Sequence, residues 1–467
     1  MVVGQIAESV DLLVVGGGPG GYTAALDAAA RGRSVTLVDA DGERGIGGVC
    51  LRVGCIPSKA LIEVAELYHR TATMEVAGLP AASGEVDMKA FQRWKASVVD
   101  RLAGGVAGLL SKAGVRIVEG RFRFLGPGRG MVDAGGARPP VFLEFADVVL
   151  ATGSTPVDLP VLPRDGVHVL DSTDALALDR VPETVLVVGG GYIGVELGTA
   201  LAKLGSSVTV VEATDSLLPG LPDDVVRPVQ RRLTELGVTV LLGTRVTGQA
   251  AGGPGVRVSG ADGAERTVPA EVAVVAVGRT PNTADLGLDS IGVTPGPGGR
   301  LAVGPDRLVA PHVAAIGDIT DGPALAHKAT AEATVAVEAL CGDAAAFDPA
   351  TIPLVVFSDP EIAVAGEAGR PGEGRVSRRR PFSASGRAVT MDRDSGFLRI
   401  TVDQATQAVV GVEVVGPHAS ELISEGVLAI EMAASPEDLW GSIHPHPTLA
   451  ESLADVAREF PLPGRRT

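Results

Sequence analysis

One glycine-rich pattern occurs twice in this 467-residue sequence, and it constrains the fold more than any other feature. The first copy is "DLLVVGGGPGGYTAALDAAARGRSVTLVDA" and the second is "TVLVVGGGYIGVELGTALAKLGSSVTVVEA". In each copy an apolar run, a glycine turn, a helix-like segment and a second apolar run predict strand, turn, helix and strand. We therefore predict two βαβ units in one α/β chain.

The glycines and the acids of the two copies fall at equivalent positions. They are Gly16, Gly18, Gly21 and Asp39 in the first copy, and Gly189, Gly191, Gly194 and Glu212 in the second. The first glycine of such a motif permits a tight turn, the second lets the backbone approach a pyrophosphate, and the third lets the helix pack closely on the strand. The acid accepts hydrogen bonds from ribose hydroxyls. A single copy of the motif could be a glycine turn that binds no ligand. Because the motif occurs twice in the same context, we favour two bound dinucleotides.

The acid of the second copy also selects between nicotinamide cofactors. A carboxylate at Glu212 favours a free ribose 2′-hydroxyl and repels a 2′-phosphate. No arginine follows in "EATDSLLPG" to receive such a phosphate. We therefore expect NAD rather than NADP at this site.

The overall composition excludes several classes of protein. The chain is 45% hydrophobic and 21% charged, and it is too long for a single core. Its net charge of −16 disfavours nucleic acid and anionic membranes as partners. No apolar run is long enough to span a bilayer, and "MVVGQIAESVDLLVVGGG" has no secretory signal pattern, so we expect a cytoplasmic protein.

Short alternating runs with glycine and proline turns predict two antiparallel meanders. One lies in "RFRFLGPGRGMVDAGGARPPVFLEFADVVLATGS" and the other runs from about 240 to 278. Each meander ends in an apolar strand followed by a glycine, Gly153 or Gly278. A further apolar strand, in "HVAAIGD", ends at Gly317 and Asp318.

The last part of the chain, from about residue 346, has a different pattern. "LVVFSDPEIAVAG" and "GFLRITVDQATQAVVGVEVVG" predict strands, with helices near 420–434 and 448–458. The run "AGRPGEGRVSRRRP" at 368–381 predicts a mobile loop rather than a nucleic-acid patch in so acidic a chain. A separate α+β domain is therefore expected here.

Two of the three cysteines, Cys50 and Cys55, lie close together in "GGVCLRVGCIPSKAL". A zinc site is a poor explanation because there is no second cysteine pair and His69 is the nearest histidine. A structural disulfide is also poor, because so short a loop ties no distant elements together. A redox pair fits better. Five residues along a regular helix point two sulfurs about 140° apart, so a disulfide needs an irregular turn near Gly54, and such strain makes it easier to reduce.

At this point the sequence resembles a known family. The cysteine segment is similar to the active-site signature of the class I flavoprotein disulfide reductases, the pyridine nucleotide-disulfide oxidoreductases. In the family's terms, "GGGPGGYTAAL" resembles the FAD-binding start and "GGGYIGVELG" the NAD-binding start. "VGRTPN" and "AAIGDITDGPALAHKA" resemble the second flavin segment, "VFSDPEIAVAG" the interface domain and "SIHPHPTLAESL" the catalytic histidine motif. The resemblance covers essentially the whole chain.

The resemblance implies a fold class and a domain order. The fold is α/β, with two Rossmann-like domains that carry antiparallel meanders, followed by an α+β dimerisation domain. The implied FAD-binding domain spans 1–150 and 276–345, the NAD-binding domain spans 151–275 and the interface domain spans 346–467. FAD and NAD are the implied cofactors, no metal is expected, and a homodimer is the implied working unit.

The same resemblance implies roles around the cysteines. Cys50 would exchange with the dithiol substrate, and Cys55 would lie against the flavin as the charge-transfer thiolate. Lys59 would sit by flavin N5, paired with Glu196, where a cation stabilises the electron-rich reduced ring. The alternatives are two buried cysteines without chemistry and an exposed helix lysine.

Further roles fall at the end of the chain and in the second flavin segment. His446, supported by Glu451, would act as acid and base towards the substrate thiols. Asp318 resembles the residue that contacts the ribityl chain, with a turn aspartate as the alternative. Gly153 and Gly278, the glycines that follow the last strands of the two meanders, are further candidate cofactor-binding residues.

Within the family, the dihydrolipoamide dehydrogenase branch is the most similar. Glu212 stands where the NADP-dependent members have basic residues, and the ending "EFPLPGRRT" lacks the cysteine pair of the mercuric reductases. The implied reaction is oxidation of protein-bound dihydrolipoyl groups with hydride transfer to NAD⁺. The implied partners are lipoyl-bearing proteins and the acyltransferase core of a 2-oxoacid dehydrogenase complex.

Two alternatives remain: a reductase of another disulfide or electrophile on the same fold, and a non-catalytic flavin redox sensor. The sequence also departs from the family's usual pattern at three places. Val49 and Arg52 replace a common threonine and asparagine, and Arg52 is expected to tune substrate access. The segment 366–381 is shorter than the family's helical connection.

Overall fold

A computed structural model of the chain describes residues 7–73, 78, 84–136, 138–250, 255–369 and 371–461. Residues 1–6 and 462–467, which include the two ends of the sequence interpreted above, lie outside the described residues, as does Arg370 in the arginine-rich run. In the described part of the chain, no helix combines the length and the apolar character needed to cross a membrane.

The regular elements follow one another in chain order. The helices are α1 (Pro19–Ala30), α2 (Gly48–Arg52), α3 (Cys55–Thr73), α4 (Met88–Lys112), α5 (Ser172–Leu176), α6 (Tyr192–Lys203), α7 (Asp223–Glu235), α8 (Ala326–Leu340), α9 (Gly386–Thr390), α10 (Ala419–Glu431), α11 (Pro436–Gly441) and α12 (Glu451–Ala457). The strands are β1 (Glu8–Val15), β2 (Val35–Asp39), β3 (Arg116–Glu119), β4 (Arg121–Gly126), β5 (Arg129–Asp133), β6 (Val141–Leu150), β7 (Ser154–Pro156), β8 (Val169–Leu170), β9 (Thr184–Val188), β10 (Ser207–Val211), β11 (Thr239–Leu241), β12 (Arg245–Gln249), β13 (Gly255–Ser259), β14 (Glu265–Pro269), β15 (Val272–Val275), β16 (Arg279–Pro281), β17 (Leu308–Ala310), β18 (Val313–Ala315), β19 (Leu354–Val356), β20 (Glu361–Gly366), β21 (Arg375–Pro381), β22 (Phe397–Asp403) and β23 (Val409–Gly416).

The first predicted βαβ unit is present as β1, α1 and β2. Its sheet has the order β17-β18-β6-β1-β2-β3, with β1 parallel to both β2 and β6. The predicted meander is also present, because β4 pairs antiparallel with β5 and β5 with β6. Helices α1 and α8 pack together on this sheet, and their alanine-rich faces let them approach closely.

The second βαβ unit is present as β9, α6 and β10. It lies in a parallel sheet of order β11-β10-β9-β15-β8. The second predicted meander is the antiparallel sheet β12-β13-β14, which leads directly into β15. Valines dominate the buried positions of β9, β10 and β15, as is typical of strands covered on both faces.

The C-terminal part forms an antiparallel sheet of order β19-β20-β23-β22-β21. Helices α10 and α12 lie where the sequence predicted them, and α10 packs on β20 and β23. One prediction here is wrong. Residues 375–381 of the expected mobile loop form the edge strand β21, which pairs with β22 along its whole length.

The arginines of β21 explain why this charged segment is ordered as a strand. Arg375 forms ion pairs with Glu367 and Asp403, and Arg380 lies 3.1 Å from Asp455. Neighbouring acids therefore neutralise the charge run, which removes the repulsion that the sequence alone suggested.

Candidate active site

The cysteine segment and the first glycine loop open on one cavity of about 660 Å³. The sequence-predicted site residues that line it are Gly16, Gly18, Asp39, Cys50, Cys55, Lys59, Gly153, Glu196 and Asp318. Those that do not line it are Gly21, Gly189, Gly191, Gly194, Glu212, Gly278, His446 and Glu451. One wall comes from Tyr192 and Glu196 of α6, so the second βαβ unit borders the same space.

The first glycine loop fits a dinucleotide. Gly16 has a φ of +105°, and a Cβ on Gly21 would lie 1.8 Å from the Gly16 carbonyl oxygen, so neither position accepts a side chain. Nothing lies within 4 Å of the place where a Cβ on Gly18 would point, which leaves the backbone open to a phosphate. Asp39 Oδ2 accepts a hydrogen bond of 2.8 Å from the Gly17 N–H, which fixes the acid beside the loop.

The second glycine loop repeats this geometry. Gly189 has a φ of +109°, a Cβ on Gly194 would lie 2.0 Å from the Gly189 carbonyl oxygen, and Gly191 faces open space. Glu212 accepts hydrogen bonds of 2.7 Å from the N–H groups of Gly190 and Thr214. Burial alone would raise the pKa of Glu212, but these N–H groups hold it below its usual value. An ionised carboxylate therefore stands beside the second glycine loop.

The cysteine pair sits at a break between two helices. Helix α2 carries Cys50 and ends at Arg52, and α3 begins at Cys55. The break falls at Val53 and Gly54, where an irregular turn was predicted. Both cysteines are free thiols in this structure.

The two thiols differ in their affinity for protons. Hydrogen bonding with Cys55, together with burial, raises the pKa of Cys50. Hydrogen bonding with Cys50 and, to a smaller extent, the charge of the Lys59 ammonium together lower the pKa of Cys55 to about 7, against the opposing effect of burial. In the dithiol state the proton therefore stays on Cys50, and Cys55 is the thiolate near neutral pH.

The lysine of the cysteine helix is held from two other parts of the chain. Lys59 Nζ lies 2.9 Å from Glu196 Oε2 on α6 and 4.3 Å from the centroid of the Phe357 ring. The Phe357 N–H also donates to Glu196 Oε1 at 3.0 Å. The predicted Lys59–Glu196 pair is therefore present, and Phe357 is a third partner that the sequence did not reveal.

A chain of polar side chains also lines the cavity. Arg279 Nε donates to Ser154 Oγ at 2.8 Å, and Ser154 Oγ donates to Asp318 Oδ2 at 2.5 Å. Gly153 adjoins this chain, and its carbonyl accepts from the Asn282 N–H. Asp318 is therefore a fixed acceptor at the cavity rather than a turn cap.

A buried charge cluster supports the loop that carries Asp318. Glu332 of α8 is fully buried and accepts from the Gly317 N–H at 2.7 Å. Lys328, also buried, donates to the Gly317 carbonyl at 3.1 Å, and Arg307 lies 3.0 Å from Glu332. The i, i+4 spacing of a lysine and a glutamate in an alanine-rich helix was the signal from which this cluster was predictable.

The predicted acid–base pair lies in the C-terminal domain. His446 Nδ1 is 2.9 Å from Glu451 Oε1, and Glu451 Oε2 accepts from the Thr448 N–H at 2.8 Å. The Thr448 N–H and the His446 ring lower the pKa of Glu451. The His446 side chain is 82% exposed, and among the described residues of 346–461 none lines the cysteine cavity. One chain therefore does not bring His446 to its own cysteines.

The remaining candidates have structural partners. His444 Nε2 lies 2.9 Å from Glu425 Oε1, which ties the histidine loop to α10. Arg52 lines the cavity, but its guanidinium donates to the carbonyls of Ile46 and Glu43 and so binds the flanking loop. Within the described ranges, no cluster of three His, Cys, Asp or Glu side chains is arranged to hold a metal ion.

Comparisons with known proteins agree with this arrangement. Residues 10–333 match the family described as pyridine nucleotide-disulphide oxidoreductase, and residues 352–457 match its dimerisation domain. Dihydrolipoyl dehydrogenase of Halobacterium salinarum is 42% identical over 465 residues, which are 98% of this chain and 97% of that protein. Dihydrolipoyl dehydrogenase of Geobacillus stearothermophilus is 42% identical over 463 residues, again 98% of this chain and 97% of that protein.

Solved structures resemble the whole chain as well. LpdA of Mycobacterium tuberculosis aligns with a TM-score of 0.88 and 30% identity, over 96% of this chain and 99% of that one. The HOCl-induced flavoprotein disulfide reductase RclA of Escherichia coli aligns with a TM-score of 0.84 and 25% identity, over 96% of this chain and 99% of that one.

Proposed function

This chain belongs to the pyridine nucleotide-disulphide oxidoreductase family, and on that premise we propose that it oxidises protein-bound dihydrolipoyl groups and passes hydride to NAD⁺. It is an FAD-dependent enzyme of the dihydrolipoyl dehydrogenase type. The observation that carries the proposal is the placement of Cys50 and Cys55, with the Lys59–Glu196 pair, on the cavity of the first glycine loop.

FAD and NAD are the cofactors, and the residues present fit them. When bound, FAD supplies a two-electron carrier between a dithiol and a nicotinamide. We assign FAD to Gly16, Gly18, Gly21, Asp39, Gly153 and Asp318, and NAD to Gly189, Gly191, Gly194, Glu212, Glu196 and Gly278. Support comes from the open backbone at Gly18 and Gly191, where a dinucleotide phosphate can approach.

The domain division follows the same assignment. We propose an FAD-binding domain over 1–150 and 276–345, an NAD-binding domain over 151–275 and an interface domain over 346–467. The first sheet supports this division, because it is built from β1–β6 together with β17 and β18, on either side of the second sheet in the sequence.

The chemistry at the cysteines is a thiol–disulfide exchange. A substrate thiolate attacks Cys50 Sγ of the Cys50–Cys55 disulfide, so a mixed disulfide forms and Cys55 leaves as a thiolate. The second substrate thiolate then attacks the substrate sulfur, which closes the lipoyl disulfide and releases Cys50, which takes a proton. The two substrate electrons now reside on the dithiol. The low pKa of Cys55 and the high pKa of Cys50 favour this order of roles.

His446 is proposed to move the protons. The Glu451 carboxylate accepts the Nδ1 proton, so Nε2 is the nitrogen that takes a proton from a substrate thiol and returns one to Cys50. Because His446 is exposed and does not line the cysteine cavity of its own chain, we propose a homodimer in which each histidine serves the partner's cysteines. The dimerisation domain at 352–457 supports this arrangement.

The partners follow from the substrate. We propose lipoyl-bearing proteins, and the acyltransferase core of a 2-oxoacid dehydrogenase complex, as the proteins this enzyme meets. The net charge of −16 supports docking to a basic surface. The cytoplasm is the proposed compartment, which fits a chain whose three cysteines are too few for a structural disulfide framework.

A substrate panel tests the proposal. The purified protein is assayed for NADH formation from dihydrolipoamide and, with NADH, for reduction of glutathione disulfide and mercuric ion. We expect rapid turnover of dihydrolipoamide and little of the others. Preference for another disulfide or electrophile would instead assign a different reductase, and absence of any turnover would favour a flavin redox sensor.

A further inference from the structure

Two ion pairs of opposite polarity connect α3 with α6. In the first, Lys59 of α3 pairs with Glu196 of α6, and in the second, Glu66 of α3 pairs with Lys203 of α6. Each helix advances seven residues between the two pairs, which is about two helical turns. The second pair therefore repeats the first along the same helix–helix contact, with the charges exchanged.

The second pair is buried and joins three parts of the chain. The Lys203 side chain is only 5% exposed, and its ammonium contacts Glu66 and lies 2.8 Å from Asp359 Oδ2. Asp359 also accepts from Arg232 Nε at 2.9 Å, and Arg393 lies 3.5 Å from Glu66. A buried lysine is tolerated only when it is paired in this way, so removing it leaves two acids without their common partner.

The segment 357–359 touches both ion pairs. Its Phe357 N–H donates to Glu196 and its Phe357 ring lies beside Lys59, while its Asp359 binds Lys203. This segment, α3 and α6 are therefore held in one relative register at two points. A shift at the Glu66–Lys203 pair would therefore also move Glu196 and Phe357, the groups that surround Lys59.

We propose that Lys203 is a positioning residue for the redox pair: by fixing α3 against α6 and the segment 357–359, it holds the Lys59 ammonium where it stabilises the Cys55 thiolate. The inference rests on the proposed function, because its test measures the long-wavelength absorbance that a thiolate gives beside bound flavin. Lys203 lies far from the chemistry, because Glu66 is eleven residues from Cys55, about 16 Å of helix rise. Its effect is therefore exerted through Lys59.

The test separates positioning from simple charge effects. Lys203→Met removes a positive charge and Glu66→Gln removes a negative one, so charge acting through space shifts the Cys55 thiolate in opposite directions. If instead Lys59 loses its position, the Cys55 thiolate becomes less stable in both variants. Lys203→Arg keeps the charge and serves as the conservative rescue, and the nearly isosteric Glu66→Gln provides a second variant if Lys203→Met does not fold.

The matched control is Arg399→Met. The buried Arg399 side chain pairs with Glu413 and Asp224, so it also links two parts of the chain, the C-terminal sheet and α7, and neither of these partners lies on α3. Both Arg399→Met and Lys203→Met are expected to lower the melting temperature. Only the latter is expected to move the thiolate signal.

The measurement is a pH titration of the long-wavelength absorbance in the reduced, flavin-loaded dimer. The charged or titratable groups that interact with Cys55 are Cys50 and Lys59 on its own segment and Glu196 and Tyr192 on α6. In Lys203→Met and Glu66→Gln we expect the thiolate to become three- to tenfold less stable, so that the midpoint of the titration lies about 0.5 to 1 pH unit higher. In Lys203→Arg and Arg399→Met we expect a midpoint close to that of the unmodified protein.

Two results would overturn the inference. One is an unchanged midpoint in Lys203→Met despite a lower melting temperature, which would leave Lys203 a purely structural role. The other is a pair of opposite shifts in Lys203→Met and Glu66→Gln, which would indicate charge alone. If the unmodified protein lacks the absorbance, the proposed function itself fails, and the two failures are thereby distinguished.

Discussion

Glu451 Oε1 lies 2.9 Å from His446 Nδ1 in the C-terminal domain. None of the described residues of this domain, 346–461, lines the cysteine cavity. The carboxylate binds Nδ1 of the ring, and the His446 side chain is 82% exposed. An exposed histidine–glutamate pair that does not line the cysteine cavity of its own chain is the arrangement expected if two copies share each site.

Mixed dimers test the shared site. Cys55→Ser and His446→Gln homodimers are each expected to be nearly inactive, because each lacks one part of every site. After subunit exchange, a mixed dimer has one doubly damaged site and one intact site, so about a quarter of the normal activity is expected from a statistical mixture, in which half the dimers are mixed. Exchange verified by mass spectrometry without recovered activity would place both groups in one subunit.

Removal of the Lys59 charge tests the electrostatics of the dithiol. Cys55 has a pKa lowered to about 7, so its thiolate is present above that pH and is lost as the pH falls through it. Because the ammonium contributes to this lowering, Lys59→Met is expected to move the loss of thiolate to a higher pH. The measurement is the pH dependence of the long-wavelength absorbance, with the exposed Lys89 of α4 changed to Met as a control. A midpoint at or below that of the unmodified protein would contradict the assigned role.

Glu212 is predicted to set the choice of nicotinamide cofactor. Glu212→Ser removes the carboxylate that receives the ribose hydroxyls, so kcat/KM for NAD⁺ should fall about tenfold or more, while that for NADP⁺ falls less or rises. Steady-state kinetics with both cofactors give the ratio. Thr214→Val, which removes one hydrogen bond to the same carboxylate, is the milder control. If kcat/KM falls equally for NAD⁺ and NADP⁺, Glu212 stabilises the fold of the glycine loop and does not select between the two cofactors.

The buried cluster behind Asp318 is predicted to retain the flavin. Glu332→Gln leaves Lys328 and Arg307 without a counter-charge in a site closed to solvent, which costs roughly 3–5 kcal/mol. We expect a lower melting temperature and faster release of flavin, followed by fluorescence. Glu338→Gln, on the same helix but in an exposed pair with Arg31, should change neither by much. If Glu332→Gln releases flavin at the same rate as the unmodified protein, the buried cluster has no role in retaining the cofactor.

The repeated βαβ units and their glycines could be predicted because their causes are local. The turn at Gly16 and the close approach at Gly21 depend on the absence of a side chain, and that absence is visible in the sequence. The apolar runs around them have the period of strands and helices. Both meanders and the C-terminal sheet were predictable on the same grounds.

Features that depend on distant partners were not predictable in this way. The arginine-rich run resembles a loop when read alone, and it becomes a strand because acids far along the chain neutralise it, as Asp455 does for Arg380. Phe357 carries no chemical signal in the sequence and acquires its position beside Lys59 only through the fold.

The central claim is that the Cys50–Cys55 pair exchanges electrons with a flavin bound at the first glycine loop, and the visible spectrum tests it most directly. One equivalent of dihydrolipoamide is added to the purified, flavin-loaded protein without oxygen. The account predicts a broad long-wavelength absorbance in the unmodified protein and none in Cys55→Ser. A spectrum that does not change, or the same absorbance in Cys55→Ser, would contradict it.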